Sequence, residues 1–198
     1  MKTLIVFAHP GPARHNHQVL EDVKKWHEEK NLEYEILDLY AMKYDPILKT
    51  EELYTHGNRN VSEQNKEIQK KISETDKLIF IYPVWWNNMP AILKGFFDRV
   101  FTPRFAFKFR KVIGNFTAPR ALLKGKKAAI FISSNSPRLV FWLILGDRAR
   151  KVVSHDTLRF AGIKSKVWQL SRAEKPMDVK ELKRTEKLVN RGLNWLYR

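Results

Sequence analysis

The segment 79–101 constrains the fold of this chain more than any other part of its sequence. It begins as an all-apolar strand, passes through a loop that holds two tryptophans and two asparagines, and continues after Pro90 as an amphipathic helix. A continuously apolar strand that leads into a helix is typical of a parallel sheet covered on both faces. Such sheets bind ligands at the carboxyl ends of their strands. The loop is therefore predicted to lie at a site for a planar cofactor.

The two tryptophans of this loop, Trp85 and Trp86, have two interpretations. Paired tryptophans are usually core residues, and Pro83 could merely end the strand. Neighbouring residues on extended backbone point to opposite sides, however, so both rings cannot face one core. We therefore predict that at least one ring stacks on a ligand or faces a second subunit.

Apolar runs alternate with segments of helical period along the whole chain, which predicts an α/β domain covering residues 1–198. Strands are expected at about 3–8, 33–39, 77–82, 128–133 and 163–170. Helices are expected at 16–29, after Ser62, from Pro90 to about 101, within 140–161 and at 178–197. Two long connections, 40–60 and 102–124, remain, and the second is interpreted as a functional loop because it is rich in Phe and Arg.

Composition narrows the chemistry that this chain can perform. Its 198 residues include no cysteine, so a thiolate nucleophile, an iron–sulfur cluster and the usual structural zinc site are excluded. Redox chemistry would need a bound cofactor. The net charge of +16 favours anionic partners, but no nucleic-acid-binding motif is visible, and no nucleic acid is expected as a partner. The sequence shows neither a secretory leader nor a membrane span, and a cytoplasmic protein is predicted.

A turn after the first predicted strand, at residues 9–16, is suited to a phosphate group. Its backbone amides and the first amides of the following helix can bind an anion, and Arg14 adds a fixed positive charge. The glycine patterns of ATPases and of dinucleotide-binding dehydrogenases are absent, which favours a phosphate-bearing flavin. His15 and His17 do not share a helix face, so no metal site is predicted.

Four segments of the chain, 9–16, 38–46, 83–101 and 123–128, together resemble the flavodoxin-like NAD(P)H dehydrogenase (quinone) family. The most specific part is Pro90-Ala91-Ile92-Leu93-Lys94-Gly95 with Asp98-Arg99-Val100. The resemblance covers residues 1–171 and implies a flavodoxin-like five-stranded parallel sheet of order 2-1-3-4-5 with helices on both faces. Relatives in this family include quinone reductases and the ancillary subunits of potassium efflux systems.

The resemblance implies roles for three groups of residues. The phosphate region of the flavin would be held by His9, His15 and Asn16, the isoalloxazine would be lined by Pro83, Val84, Trp85, Trp86 and Asn87, and its pyrimidine edge would be approached by Ser133, Ser134, Asn135 and Ser136. The electron-acceptor pocket would be shaped by Trp85, Trp86, Phe105, Phe107 and Phe141. No side chain is predicted to act as a nucleophile, because the flavin carries the chemistry.

The implied function is that of a homodimeric flavoprotein, with FMN or FAD, that passes hydride from NAD(P)H through flavin N5 to a quinone or similar acceptor. The alternative is a flavin-binding regulatory subunit of a membrane transporter with little turnover. A basic nucleic-acid-binding protein is a third interpretation that depends on charge alone.

The sequence departs from the family pattern at three places, of which the first two modestly favour the regulatory alternative. A glycine-rich turn is replaced by Asn135-Ser136-Pro137-Arg138, a Tyr and a His that assist hydride transfer are replaced by Phe141 and by Leu145 or Asp147, and Arg104 stands at a glycine position. The apolar segment 139–145 is too short to span a bilayer. Burial at a twofold interface is the preferred interpretation of this segment, and contact with an anionic membrane is the alternative.

Overall fold

The computed structural model describes residues 2–11, 14–56, 60–113, 116–174 and 176–198. Within these ranges the chain forms seven strands and six α-helices. The strands are β1 Thr3–Phe7, β2 Tyr34–Asp38, β3 Lys77–Pro83, β4 Phe107–Ile113, β5 Phe116–Ala121, β6 Lys127–Ser134 and β7 Lys164–Ser171. The helices are α1 Arg14–Glu29, α2 Glu63–Ser73, α3 Ala91–Val100, α4 Arg138–Leu143, α5 Arg148–Lys151 and α6 Val179–Tyr197.

Five parallel strands form the central sheet in the order β2-β1-β3-β6-β7. The prediction of a 2-1-3-4-5 sheet is therefore confirmed, with β6 and β7 as its fourth and fifth strands. Alternate residues of β1 enter two apolar clusters on opposite faces: Leu4 and Val6 face one cluster, and Ile5 and Phe7 face the other. Strand order reverses between β1 and β3, so the carboxyl ends of these strands flank the switch point where such sheets bind ligands.

The helix boundaries follow local sequence signals. The Ser62 hydroxyl accepts a hydrogen bond from the Asn65 amide at the start of α2, and Pro90 is the N-cap of α3, as predicted. The fourth predicted helix is in fact interrupted. After α4, Gly146 and Asp147 both have positive φ, and a helix resumes as α5 and continues as a π-helix over Val152–Arg159. None of the helices in the described ranges is both long enough and apolar enough to cross a bilayer.

A buried ion pair fixes the connection between β2 and α2 to the body of the domain. Arg99 on α3 donates from Nε and Nη2 to the two carboxylate oxygens of Glu52, at 2.9 Å each. The same guanidinium donates from Nη1 to the Asp45 carbonyl. A Cβ on Gly95 would lie 2.1 Å from the Pro46 carbonyl oxygen, so only glycine permits this close approach.

The expectation that residues 102–124 form a connecting loop is wrong for most of their length, whereas a functional role of this segment stays a prediction. Strands β4 and β5 pair as an antiparallel hairpin that forms a separate two-stranded sheet. The alternation of Phe107, Lys108, Phe109 and Arg110 is a strand pattern, whereas Pro119 argued against a strand at that point. In the structure Pro119 lies opposite Phe109 in this ribbon, where no third strand is paired in the described ranges.

Candidate functional site

A cavity of about 590 Å3 lies at the carboxyl ends of β1, β3 and β6. Twelve of the thirteen residues predicted to bind the cofactor line it, namely His9, His15, Asn16 and the runs 83–87 and 133–136. The thirteenth is Arg14, whose side chain lies outside the part of the chain that the structure describes. The loops after three different strands therefore meet around one space, as the parallel topology requires.

The tryptophan loop is a tight turn with an uncommon backbone. The Trp85 amide donates to the Asn88 carbonyl at 3.0 Å, and the Asn88 amide donates back to Trp85 at 2.9 Å. Both central residues, Trp86 and Asn87, adopt the left-handed backbone conformation, with φ of 49° and 56°. Two consecutive left-handed residues are typical of a type I′ turn, which favours Asn and Gly. A bulky residue such as tryptophan is an outlier in this conformation.

The turn presents both indole rings to the cavity side of the sheet. Trp85 is 41% exposed and Trp86 is fully exposed, so neither ring belongs to the core. The prediction that the two rings could not share one core is thereby confirmed. Left-handed backbone at a bulky residue costs about 1–2 kcal/mol of folding free energy, and such strained residues cluster at functional sites.

His9 forms the wall of the cavity next to this turn. Its ring meets Trp85 edge to face at 6.0 Å between centroids, and it lies 6.1 Å from the ring of His17. Burial lowers the pKa of His9, and the nearby His17 lowers it further, whereas the hydrogen bond to the Gly11 carbonyl opposes this change. His9 is therefore neutral at pH 7 and offers the cavity a hydrogen-bonding ring without a fixed charge.

The turn after β6 is held rigidly by its own hydrogen bonds. The Ser134 hydroxyl donates to the Ser136 carbonyl at 3.1 Å and accepts from Gln169 Nε2 at 2.9 Å. The Val84 amide donates to the Ser133 carbonyl at 2.8 Å, which joins this turn to the end of β3. Because the Ser134 proton is used inside the chain, the backbone of this turn rather than that hydroxyl is the better donor toward a ligand.

Three further residues line the cavity and were not predicted: Leu145, Ala173 and Glu174. Asn87 contacts Leu145 directly, because Asn87 Nδ2 donates to the Leu145 carbonyl at 3.4 Å. The Ala173 amide donates to the Ser134 carbonyl at 3.1 Å, which brings the end of β7 to the same edge. The position after β7 could have suggested Ala173 and Glu174, because all five parallel strands end on this side.

Two residues predicted for the acceptor pocket lie elsewhere in the chain. Phe105 lines a separate cavity of about 330 Å3 together with Glu52 and Thr102. Phe107 packs against Phe160, with ring centroids 5.0 Å apart. Neither ring lines the cavity that holds the tryptophan turn of its own chain, so their assignment to the acceptor pocket stays a prediction. The side chain of Phe141 lies outside the described residues.

The described lining of the cavity suits a hydrogen-bonding organic ligand better than a metal ion. Across the described ranges, no three His, Cys, Asp or Glu side chains are grouped as metal ligands. Asn87 Oδ1 is buried and has no hydrogen-bond partner among the described residues. Such an atom is costly to leave unpaired, and a ligand N–H would satisfy it.

Known proteins share both the sequence and the architecture of this chain. A family model described as flavodoxin-like fold matches residues 1–186. An uncharacterized NAD(P)H oxidoreductase of Haemophilus influenzae is 34% identical over 139 residues, which are 69% of this chain and 65% of that protein. NAD(P)H dehydrogenase (quinone) 1 of Cavia porcellus is 29% identical over 182 residues, which are 81% of this chain and 64% of that protein. The chain thus spans just under two thirds of the length of these two relatives.

A solved structure matches over nearly the full length of both chains. The NAD(P)H:quinone oxidoreductase from Methanothermobacter marburgensis superimposes with a TM-score of 0.80 at 28% identity, covering 98% of this chain and 96% of that one. The family model and this superposition agree with the flavodoxin-like order of the central sheet. The chain belongs to the flavodoxin-like fold family.

Proposed function

We propose that this chain is a flavin-dependent oxidoreductase that moves electrons from NAD(P)H to a quinone or a similar acceptor. The observation that carries the proposal is the cavity where the ends of β1, β3 and β6 meet beside two exposed tryptophans. The names of the relatives in Cavia porcellus and Methanothermobacter marburgensis support the same reaction. The regulatory transporter subunit gains no support from these relatives.

The residues of the cavity fit a flavin in size and in polarity. A volume of about 590 Å3 is within the range of cofactor sites. The indole rings of Trp85 and Trp86 offer flat apolar surfaces, and the unpaired Asn87 Oδ1 offers an acceptor for a ring N–H. His15 and Asn16 lie in the first turn of α1, and the amino-terminal end of a helix favours a phosphate.

A bound flavin supplies the electron-accepting and electron-donating centre that this cysteine-free chain lacks. The chain contributes position and electrostatics. The type I′ turn holds the rings of Trp85 and Trp86 at one wall, and the hydrogen-bonded turn after β6 holds backbone amides at another. Because these dipoles are already oriented, they can stabilise negative charge without reorganising during the reaction.

The acceptor pocket is proposed to be completed by a second copy of the chain. Phe105 and Phe107 lie away from the cavity of their own chain, although the family resemblance assigns them to the acceptor pocket. A homodimer would resolve this difference, because rings from one protomer can cover the cavity of its partner. Sedimentation equilibrium of the purified protein tests this directly, and a monomer at all concentrations would contradict it.

The proposed reaction is tested with purified protein titrated with FMN and with FAD, followed by NAD(P)H oxidation with a water-soluble quinone. We expect visible flavin absorption that remains after gel filtration, and turnover that depends on the quinone. Absence of flavin binding would overturn the proposal. Tight flavin binding with negligible turnover would instead favour the regulatory alternative.

A pair of matched charge changes locates the chemistry within the molecule. Asn135→Asp adds a carboxylate to the turn after β6, where negative charge would develop during reduction. Asn190→Asp makes the same change on α6, away from the cavity. We expect turnover at least about tenfold lower for N135D, with N190D close to the parent. Equal effects of the two substitutions would place the chemistry elsewhere.

A further inference from the structure

Four large apolar side chains are exposed together beside the cavity. Leu139, Trp142, Leu143 and Ile144, which we call the apolar turn, are between 62% and 75% exposed. They occupy α4 and the residue that follows it. Soluble proteins seldom leave so many large apolar groups adjacent to one another in water, and such patches usually mark an interaction surface.

Cations flank the apolar turn at both of its ends. Arg138 precedes it, and Arg148 and Lys151 follow it, all three exposed to solvent. Among the described residues these three side chains form no ion pair with a carboxylate, and Lys151 instead donates to the Gly146 carbonyl at 3.0 Å. Apolar groups between unneutralised cations are the arrangement of segments that lie in the headgroup region of an anionic membrane.

The apolar turn is also continuous with the mouth of the cavity. Leu145 follows Ile144 directly and lines the cavity. The hydrogen bond from Asn87 to the Leu145 carbonyl joins this segment to the turn that carries the exposed ring of Trp86. A surface that contacts the apolar turn would therefore lie next to the opening of the cavity.

We propose that the apolar turn inserts into the interfacial region of an anionic lipid bilayer, with Arg138, Arg148 and Lys151 contacting lipid phosphates. The rim of the cavity at Leu145 then lies next to the phase in which long-tailed quinones dissolve. This last step rests on the proposed function, whereas the lipid contact does not. A bilayer fits better than a second copy, because a twofold contact through this patch would place two sets of three unpaired cations against each other.

The binding experiment uses sedimentation with vesicles. One set contains phosphatidylcholine alone, and the other contains phosphatidylcholine and phosphatidylglycerol in a roughly 2:1 ratio. We expect binding to the anionic vesicles that weakens with added salt. Each cation near such a surface contributes about fivefold to the affinity, so R138Q/R148Q is expected to bind about 25-fold more weakly. The matched variant K183Q/K187Q, which removes the same charge from α6, is expected to lose much less.

The apolar contribution has its own matched pair of substitutions. Ile144→Ser and Ile47→Ser change side chains that are 75% and 70% exposed, but Ile47 lies on the connection after β2. We expect I144S and W142S each to weaken vesicle binding at least about tenfold, with I47S unchanged. Because these sites are exposed, the variants should fold as the parent does.

Three results would overturn the proposal. The first is equal binding to the two kinds of vesicle, and the second is an equal effect of I144S and I47S on vesicle binding. The third is dissociation of a dimer by W142S in sedimentation equilibrium, because the apolar turn would then be a contact between copies. Turnover of W142S with a water-soluble quinone separates this proposal from the proposed function. We expect that turnover to stay near the parent value while vesicle binding is lost.

Discussion

Substitution of Trp86 tests whether the backbone strain at this residue lowers stability while its ring contributes to flavin binding. The residue is left-handed at φ 49° and its ring is fully exposed, so the ring buries no surface in the free protein. Left-handed backbone costs a non-glycine residue about 1–2 kcal/mol. Glycine removes this cost but adds about 0.4–1 kcal/mol of unfolded-chain entropy. Trp86→Gly is therefore expected to raise the free energy of unfolding by about 0.5–1 kcal/mol.

The assay compares the flavin-free proteins by urea and thermal unfolding. For a chain of this size the expected gain corresponds to an increase in Tm of about 1–4 °C. Trp86→Ala is the matched control, because it removes the ring but keeps a Cβ at the left-handed position, and its stability should equal that of the parent. Flavin titration should give about tenfold weaker binding for both variants, since both lose the stacking ring.

Two outcomes would refute this reasoning. If W86G lost more than about 1 kcal/mol, the ring would pack against something in the folded protein, and its exposure would have been misjudged. If W86G and W86A were equally stable, the left-handed backbone would carry no strain. Unchanged flavin affinity in both variants would contradict the stacking role while leaving the strain argument intact.

Three other substitutions test the interior. Gly95→Ala places a Cβ 2.1 Å from the Pro46 carbonyl oxygen and should cost at least about 2 kcal/mol in chemical denaturation. Arg99→Met leaves Glu52 buried without its partner and should cost about 3 kcal/mol, of which the double variant R99M/E52M should recover a large part. Burial lowers the pKa of His27 below its ordinary 6.5, so the unfolded chain binds more protons and stability should fall as pH drops below about 6.5. In urea titrations at several pH values, H27Q should show a smaller fall.

The central sheet could be predicted from the sequence because its signals are local and repeated. The three inner strands β1, β3 and β6 contain continuous apolar runs. Ser62 and Pro90 mark helix starts by side-chain and ring chemistry that acts within a few residues. The cavity followed from topology, since the ends of β1, β3 and β6 must lie at one edge once the strand order is known. Twelve of the thirteen cofactor residues line that cavity, although their binding role stays a prediction.

The remaining features depend on contacts that local patterns do not encode. The β4–β5 hairpin was missed because Pro119 is usually excluded from paired strands, yet a two-stranded ribbon tolerates it. The position of Phe107 beside Phe160 is a tertiary contact between distant segments. The left-handed backbone at Trp86 opposes the preference of that residue, so propensity alone would have argued against the turn that carries the site.

The amino-terminal and carboxyl-terminal ends of the parallel strands differ in how completely their polar groups are hydrogen-bonded. At the amino-terminal ends of the strands, the Tyr197 hydroxyl lies 2.5 Å from Thr3 Oγ1 and 3.0 Å from His27 Nε2, which gives a hydrogen-bonded network around two buried side chains, Thr3 and His27. At the carboxyl-terminal ends, Trp86 is strained and exposed and Asn87 Oδ1 is unpaired. Features that oppose folding are kept where a ligand can compensate for them. Substitutions at the carboxyl-terminal ends should therefore alter binding with little loss of stability, whereas those at the amino-terminal ends should do the reverse.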